Sequence, residues 1–331
     1  MTINEIAEMA GVSRATVSRY LNDGYVSEEK KERIRKVIAE TGYTPSASAK
    51  LLRANRTSLI GVIIPKINSD SISRMVSGIS RSLKEHNYQM LLAVTENHED
   101  EEVRYLKTLS QNRVDGIILF GTIFTPEHKK VLQEISTPVI VLTQKLDGYT
   151  CIYSDDYHAA LSLGRLMGKT AKNPALISVT EKDMAVGHNR KAGLLDGLKE
   201  KGLTVKADHI EESAFNMDSG YAAAAALMER DPGIDTILCA TDTIASGAVR
   251  YLHEHQIEIP SRVQVTGFGD SSVSRAITPT LTTVHFYYEE AGERASDLLL
   301  EEINSSGPKV IREIQLAYDL VQRQSTREVK I

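Results

Sequence analysis

From residue 58 onward the chain alternates short apolar runs with longer amphipathic stretches, and this alternation constrains the fold more than any other feature. The runs are strand-length and apolar throughout, as in Leu59–Ile64 and Gly116–Phe120, which is typical of parallel strands covered on both faces. Repeated strand–helix units predict parallel sheets with helices on both sides. About 270 residues of this pattern exceed one compact core, so we expect an α/β body of two parallel-sheet subdomains.

The predicted elements of the body follow this alternation. The predicted strands are Leu59–Ile64, Gln89–Val94, Gly116–Phe120, Val139–Leu142, Ala175–Val179, Thr236–Ala240, Val263–Phe268 and Leu281–His285. The predicted helices are Ile72–His86, Asp100–Gln111, Tyr157–Thr170, Arg190–Lys201, Ser219–Arg230 and Thr243–His255.

Ligands of such folds bind beyond the carboxyl ends of the strands. The loops there are rich in side chains that hydrogen-bond a polyol: Pro65–Ser73, Thr95–Glu99, Thr143–Leu146, Thr180–Asn189, Thr241–Thr243 and Gly269–Ser272. Phe215 lies in a polar loop of a chain with five Phe and no Trp, and its ring would pack against the C–H groups of a sugar. The alternative is a loop residue that packs into the core.

The first residues predict a different, all-helical unit. Thr2 and Glu5 form a capping box, and Gly11 ends the helix that they begin. Ser13 then caps a second short helix, Arg14–Leu21. Two helices joined by a tight turn that contains glycine are typical of the helix-turn-helix motif.

A third helix and the charge distribution complete the description of this head. The third helix is predicted from Ser27 to Glu40, and Gly42 ends it. The whole chain carries a net charge of −5, which taken alone argues against a nucleic-acid partner. However, residues 1–56 hold ten Lys and Arg against seven Asp and Glu, so the head is +3 and the remainder is −8.

The second helix is the natural reader of a DNA major groove. Its first residues, Ser13, Arg14, Ala15 and Thr16, lie where such a helix contacts base edges, and Ser18 and Arg19 follow one turn later. Either arginine could pair with a guanine through two hydrogen bonds. The alternative is a three-helix packing adapter with solvated charges.

The segment 44–56 links the head to the body. Pro45 suits a first helical turn, but about nine residues are too few for a stable isolated helix. We therefore predict a segment that becomes helical only when DNA is present, the alternative being a flexible tether.

Several classes of protein are excluded at this stage. The apolar runs are far shorter than a membrane span, and the N-terminus has neither a basic start nor an apolar stretch typical of a secretion signal. We therefore expect no membrane partner and a cytoplasmic location. Cys151 and Cys239 both lie in apolar stretches and are interpreted as buried hydrophobic residues.

No pattern indicates catalysis, a cofactor or a metal. The sequence has no Gly-x-Ser-x-Gly, no phosphate-binding glycine loop and no Cys-x-x-Cys. His253 and His255 are two apart on a predicted helix and cannot share a face. The acidic run after His98 suits a helix start, and Asp155-Asp156 is interpreted as a loop that enters the second subdomain. We therefore predict a protein that is not an enzyme.

The head closely resembles that of the lac/galactose repressor (LacI/GalR) family. The matching residues run from Asn4 to Asn22, with Val26-Ser27 and Gly42–Pro45. The resemblance implies base contacts from Arg14, Ala15 and Arg19. It implies support or phosphate contacts from Thr2, Ser13, Thr16, Ser18, Asn22, Tyr25 and Ser27. It also implies a hinge helix, at about 46–54, whose Leu52 wedges into the minor groove beside Ala49.

The body resembles the effector domain of the same family, whose fold is similar to periplasmic sugar-binding proteins. The signatures are Ile60–Pro65, Val114–Leu119, Asn189–Leu194, Ala240–Asp242, Pro279–Val284 and Arg323–Arg327. The resemblance implies that Arg190 binds the effector, that Phe215 stacks on it and that Thr241 and Asp242 contact it. The other implied effector residues are Asn68, Ser69, Ser71, Ile72, Ser73, Thr143, Asp183, Gly269 and Asp270.

Three departures from the family pattern bear on the effector. Ser71-Ile72 replaces an aromatic pair, Gly269 replaces an aspartate and has Asp270 beside it, and Thr143–Lys145 replaces Ile-Asp-Arg. We therefore expect a roomy cleft for a disaccharide or its phosphorylated form, with Arg190 or Lys182 on the phosphate. Gly267–Ser271 and Asp183–Arg190 look most like sucrose operon repressors of Gram-positive bacteria.

The resemblance implies a repressor that a sugar or sugar phosphate releases from a palindromic operator. The expected domains are a head, 1–56, and an effector-binding and dimerisation domain, 57–331, with subdomains at about 57–155 and 286–315, and at about 156–285 and 316–331. A homodimer is expected, and a phosphocarrier co-regulator is an open possibility. The alternatives are a sugar transport protein, which would need a signal peptide, and an α/β enzyme acting on sugars.

Overall fold

The computed structural model of the protein describes residues 2–21, 24–43, 56–305 and 307–328. The chain divides into two compact units, Met1–Ser58 and Leu59–Ile331. The predicted hinge helix, with Ala49 and Leu52, lies outside the described residues, as does Asn22.

The first unit contains the three predicted helices: α1 (Ile3–Met9), α2 (Arg14–Tyr20) and α3 (Glu28–Thr41). Thr2 and Glu5 form the capping box, and the Ser13 side chain accepts a hydrogen bond from the Thr16 N–H. Gly11 and Gly42 both have a φ of +61°, which is why glycine occupies these two helix ends. Ile6, Val17 and Ile34 are fully buried and hold the three helices together.

The second unit is an α/β body. Its strands are β1 (Leu59–Ile64), β2 (Gln89–Val94), β3 (Gly116–Phe120), β4 (Val139–Leu142), β5 (Thr150–Ser154), β6 (Pro174–Ser178), β7 (Ile210–Glu212), β8 (Thr236–Cys239), β9 (Gln264–Thr266), β10 (Thr283–Phe286), β11 (Glu313–Leu316) and β12 (Tyr318–Val321). Its α-helices are α4 (Asp70–Glu85), α5 (Glu99–Gln111), α6 (Pro126–Glu134), α7 (Asp156–Met167), α8 (Arg190–Lys199), α9 (Met217–Arg230), α10 (Asp242–Glu254), α11 (Ser272–Ala276) and α12 (Tyr288–Asn304). A π-helical turn spans Met184–Asn189, and a 3-10 turn spans Ala207–His209.

The strands form two parallel sheets, as the sequence predicts. A six-stranded sheet has the order β11-β5-β4-β3-β1-β2, and a four-stranded sheet has the order β7-β6-β8-β9. The antiparallel pair β10–β12 forms a third, two-stranded sheet. We call the part around the six-stranded sheet lobe 1 and the part around the four-stranded sheet lobe 2.

The chain passes between the lobes three times. The passages follow β5, β10 and β11, because α7 packs on α8 in lobe 2, α12 packs on α4 in lobe 1, and β12 returns to β10. The α4–α12 contact is very close: a Cβ on Gly292 would lie 2.0 Å from the Met75 carbonyl oxygen. The three passages of the chain between the lobes place both lobes beside one cleft, so both can contact the same ligand.

The sequence misses several elements for identifiable reasons. β11 alternates polar and apolar residues, β12 contains Asp319, and both are edge strands, so they lack the continuous apolar run of a buried parallel strand. The interpretation of Asp155-Asp156 as a loop is wrong. Asp155 caps α7 by accepting from the His158 N–H, and Asp156 is the first residue of that helix.

Two absences hold for the described part of the chain. No helix in these ranges is long and apolar enough to cross a membrane. Residues 2–21, 24–43, 56–305 and 307–328 contain no cluster of three His, Cys, Asp or Glu that could hold a metal ion.

Candidate nucleic-acid interface and effector cleft

In the head, α2 exposes a set of cationic and small side chains. Arg14, Ala15 and Arg19 are exposed, while Val17 on the opposite face is buried. Neither guanidinium forms a salt bridge with an acid in the described head. By contrast, α3 neutralises much of its own charge through ion pairs such as Lys31–Glu28 and Arg35–Glu32. Within the described head, Arg14 and Arg19 on α2 are therefore exposed cations without a carboxylate partner.

The other predicted contact residues of the head surround α2. The hydroxyls of Ser13 and Thr16 lie 2.9 Å apart at its N-terminus. Tyr25 is 92% exposed, which no packing role explains, and Ser27 caps α3 without a side-chain hydrogen bond. Thr2 is held by Glu5 at the start of α1.

In the body, a cavity of about 660 Å³ lies at the carboxyl ends of the strands of both lobes. Lobe 1 contributes the loops after β1, β2, β3 and β4, and lobe 2 contributes the π-helical turn and the loops after β8 and β9. This is where the sheet topology places ligands. The volume falls within the range of small-molecule sites.

Arg190 forms the floor of the cavity. Its Nε donates to Asp156 Oδ1 at 2.7 Å, and its Nη1 donates to the Ala240 carbonyl at 2.9 Å. The rings of Phe268 and Phe286 lie 5.0 and 5.1 Å from the guanidinium carbon. Arg190 is therefore buried and neutralised, and it presents only its remaining N–H groups to a ligand.

Tyr288 lies beside this pair. Burial raises the pKa of its hydroxyl to about 12, and the nearby Arg190 opposes that rise. Gly269, with a φ of +127°, leaves an open recess next to Tyr288, because a Cβ there would still be 3.8 Å from the hydroxyl. The neutral Tyr288 hydroxyl therefore borders this recess, where a ligand hydroxyl can form a hydrogen bond with it.

Asp242 is buried at the N-terminus of α10. Its carboxylate accepts hydrogen bonds from the Thr283 hydroxyl at 2.5 Å and from the N–H and hydroxyl of Ser271 at 2.8 and 2.9 Å. Burial raises the pKa of this carboxyl, and these bonds oppose the rise. The Asp242 carboxylate therefore holds the residues around it in place, and few of its acceptor positions remain for a ligand.

Three side chains of lobe 1 reach across to lobe 2. Lys66 Nζ lies 4.9 Å from the centroid of the Phe215 ring and donates to the Phe215 carbonyl at 3.3 Å. Asp70 accepts from the Ser272 hydroxyl at 3.1 Å. Arg74 donates to the Gly269 carbonyl at 3.1 Å. These contacts hold the cleft closed.

Thr143 is a strained residue in the cavity wall. Its φ is +83°, which is rare for a β-branched residue, and its hydroxyl donates to the Gly121 carbonyl at 2.6 Å. The next residue, Gln144, donates to the Thr122 carbonyl. The turn after β4 is thus held in one conformation that faces the cavity.

Comparison with known proteins gives this arrangement a family. The model for bacterial regulatory proteins of the lacI family matches residues 2–46. The model for periplasmic binding proteins and the sugar binding domain of the LacI family matches residues 57–324, most of the chain.

The chain belongs to the LacI family. It is 35% identical to the sucrose operon repressor of Staphylococcus xylosus over 91% of this chain and 93% of that protein. It is 30% identical to the ribose operon repressor of Escherichia coli K12 over 91% and 93% of the two chains. The lac repressor dimer bound to operator and an anti-inducer has the same fold, with a TM-score of 0.87 at 23% identity over 98% and 99% of the chains.

This LacI-family chain brings most of its predicted effector residues to one cavity. All of them line it except Ser73 and Asp270. Asp270 turns away because its carboxylate pairs with Arg323 at 2.5 Å and His285 at 3.0 Å. Lys182, the predicted alternative for a phosphate contact, is exposed and outside the lining.

Lys66 and Gln144 lie in loops that the sequence predicts to border the cleft but were not singled out, whereas Asp156 and Tyr288 lie outside the predicted loops. Asp156 carries a detectable signal, because a second aspartate beside a helix cap has no role in capping. Tyr288 carries none, since the helix that it begins was not predicted.

Proposed function

We propose that this LacI-family protein is a DNA-binding transcriptional repressor whose affinity for its operator is controlled by a sugar or sugar phosphate bound between the lobes. The observation that carries the proposal is the combination, in one chain, of exposed α2 arginines that form no salt bridge with the described residues and a cleft to which both lobes contribute polar side chains. We propose this regulatory role in place of an enzymatic one.

The exposed residues on and around α2 support a set of DNA contacts. We propose base contacts from Arg14, Ala15 and Arg19, with supporting contacts from Thr2, Ser13, Thr16, Ser18, Asn22, Tyr25 and Ser27. The segment 46–54 acts as a hinge helix, with Leu52 and Ala49 in the minor groove. A pair of heads in a homodimer reads a palindromic site. A net charge of +3 on one head makes a second head necessary for tight binding.

The effector acts through the closure of the cleft. Arg190, Phe215, Thr241 and Asp242 come from lobe 2, and the contacts from the loop after β1 come from lobe 1. A ligand enclosed by both lobes binds the closed form more tightly and therefore shifts the population towards it. The change in lobe angle is passed to the hinge segments, and we propose that it releases the operator.

Sucrose or a sugar derived from it is the proposed effector. The similarity to the sucrose operon repressor of Staphylococcus xylosus and a cavity large enough for a disaccharide support this choice. The structure of the transcriptional regulator CelR with cellobiose, at 25% identity and a TM-score of 0.75, shows a disaccharide on a related fold.

A gel-shift titration tests the proposal. The palindromic DNA upstream of the gene is bound by the full-length protein, and sucrose, sucrose 6-phosphate, fructose and trehalose are added in turn. We expect at least one sugar to release the DNA. Tighter DNA binding on addition of the sugar would reverse the proposed sign, and turnover of a sugar would support an enzyme instead.

A further inference from the structure

Some charged side chains of the cavity lining already have ion-pair or hydrogen-bond partners within the protein, and others do not. Asp156 is paired with Arg190, and Asp242 accepts hydrogen bonds from Thr283 and Ser271. Two further buried carboxylates line the cavity. Asp183 accepts from the Val186 N–H at 2.9 Å, and Glu102 lies 3.2 Å from the buried His128 ring.

Lys66 is the exception among the lining cations. It is half-buried, yet no carboxylate lies within 4.0 Å of its ammonium in the part of the chain that the structure describes. Among the described residues, its ammonium donates to the Phe215 carbonyl at 3.3 Å and lies over the Phe215 ring. Burial lowers the pKa of Lys66, which means that the charged form lacks compensation there. An anion supplied by a ligand would provide it.

The surroundings of Lys66 suit an anion that is attached to a sugar. Asn68 and Ser69 follow it in the same loop and line the cavity, so they can donate hydrogen bonds to phosphate oxygens. Phe215 offers its ring to the sugar from the other lobe. An anion at Lys66 would therefore contact both sides of the cleft mouth.

Arg190 is poorly suited to bind the anionic group of a ligand. Its charge is compensated by Asp156, and a second anion would compete with that carboxylate for the guanidinium. Lys182 is outside the lining. The two predicted phosphate contacts are thus replaced by a residue that the sequence did not single out.

We propose, resting on the proposed function, that the effector is a phosphorylated sugar and that Lys66 binds its phosphate group. Arg190, Tyr288 and Thr241 then face the sugar hydroxyls. Glu96 lies in the neighbouring turn and lines the cavity, so it weakens phosphate binding by like-charge repulsion.

Isothermal titration calorimetry of the full-length protein tests this assignment with matched pairs of sugars. The pairs are sucrose, glucose, fructose and trehalose, each with its 6-phosphate. For the sugar that binds, we expect the phosphorylated member to bind at least about tenfold more tightly, as charge-assisted hydrogen bonds allow. The affinity should also fall as the pH rises through the pKa of Lys66.

Two variants and a control locate the phosphate. Lys66→Gln should lose about tenfold more affinity for the phosphorylated sugar than for the unphosphorylated one, because loss of the cross-lobe bond to Phe215 weakens both equally while loss of the charge affects only the phosphate. Glu96→Gln should bind the phosphorylated sugar more tightly. Lys182→Gln, an exposed lysine outside the lining, should change neither affinity.

The outcomes separate this inference from the proposed function. Equal affinity for both members of a pair, preference for the unphosphorylated member, or an equal loss for both in Lys66→Gln would overturn the phosphate assignment alone. If no sugar binds and none releases the operator, the proposed function itself is wrong, and this inference fails with it.

Discussion

The Asp156–Arg190 pair shows how one contact changes the interpretation of a residue. An arginine in a sugar cleft is expected to offer a full positive charge to its ligand. Here it is enclosed by Phe268 and Phe286 and neutralised by a carboxylate 2.7 Å away. We therefore expect Arg190 to orient hydroxyl groups of a ligand rather than to bind a charged group.

The buried pair should contribute strongly to stability because neither charge can be solvated alone. We expect Asp156→Ala to lower the free energy of unfolding by about 3–5 kcal/mol, since it leaves Arg190 buried without its partner. Urea unfolding followed by circular dichroism measures this. Asp155→Ala, at the adjacent half-buried helix cap, should cost only about 1 kcal/mol. Equal losses in both variants would argue against a special role for the pair.

Arg19 tests the proposed reading helix. Arg19→Ala should lower specific operator affinity by about 1–3 kcal/mol, the contribution of a guanine contact, and leave effector affinity unchanged. Fluorescence anisotropy with specific and scrambled DNA measures the difference. The control is Arg35→Ala on α3, where Glu32 already neutralises the guanidinium. Comparable losses in the two variants would point to general charge attraction.

At the scale of elements, helix caps in the head are fixed by single side chains. Ser13 accepts from the Thr16 N–H, whereas Ser27 caps α3 with no side-chain bond. Ser13→Ala should therefore destabilise the head by about 1 kcal/mol, and Ser27→Ala by clearly less. Hydrogen exchange of α2 and α3 amides measures both. A larger effect at Ser27 would contradict the observed capping.

Asp270 does not line the cavity, and its carboxylate joins three segments of the chain through Arg323, His285 and Ser274. Burial acts to raise the pKa of its carboxyl, but the hydrogen bonds from Arg323 and His285 hold that pKa below its usual value of 3.8. A lowered folded-state pKa gives stability that is present above the unfolded pKa and lost as the pH falls through the folded one. Asp270→Asn should thus be less stable than the wild type at pH 6. The difference should shrink below about pH 4 in thermal unfolding scans; a constant difference from pH 6 to pH 2 would contradict the ion pairs.

At the scale of the whole molecule, closure of the cleft depends on bonds between the lobes. Arg74 donates to the Gly269 and Asp270 carbonyls and lies 5.3 Å from the centroid of the Tyr288 ring, although it does not line the cavity. Losing these bonds disfavours the closed form, which is the form that encloses an effector.

We therefore expect Arg74→Gln to weaken effector binding about fivefold to twentyfold, a loss that corresponds to one or two hydrogen bonds. The control is Arg81→Gln on the same helix, because Arg81 pairs with Glu289 and Glu293 within lobe 1. Calorimetric titration with the effector measures both. Unchanged binding in Arg74→Gln would mean that the cross-lobe bonds do not set the closure equilibrium.

Local rules predicted much of the molecule because they depend on residues close in sequence. The caps at Thr2 and Ser13, the glycine ends at Gly11 and Gly42, and the buried parallel strands all follow from short-range geometry or hydrophobic period. The short edge strands β11 and β12 were not predicted from the sequence, because an edge position is a property of the sheet and not of the segment.

The sequence by itself determined the two kinds of domain, the helix-turn-helix and the loops that border the cleft, since apolar periodicity and strand order suffice to place them. Only the tertiary structure decided which charged side chains are paired within the protein and which remain available to a ligand. It pairs Asp156 with Arg190 across 34 positions and Asp270 with Arg323 across 53. It brings Lys66 to Phe215 across 149 positions, where no carboxylate of the described residues pairs with the ammonium. The physical reason is that compensation of charge depends on distance in space, which a linear pattern does not encode.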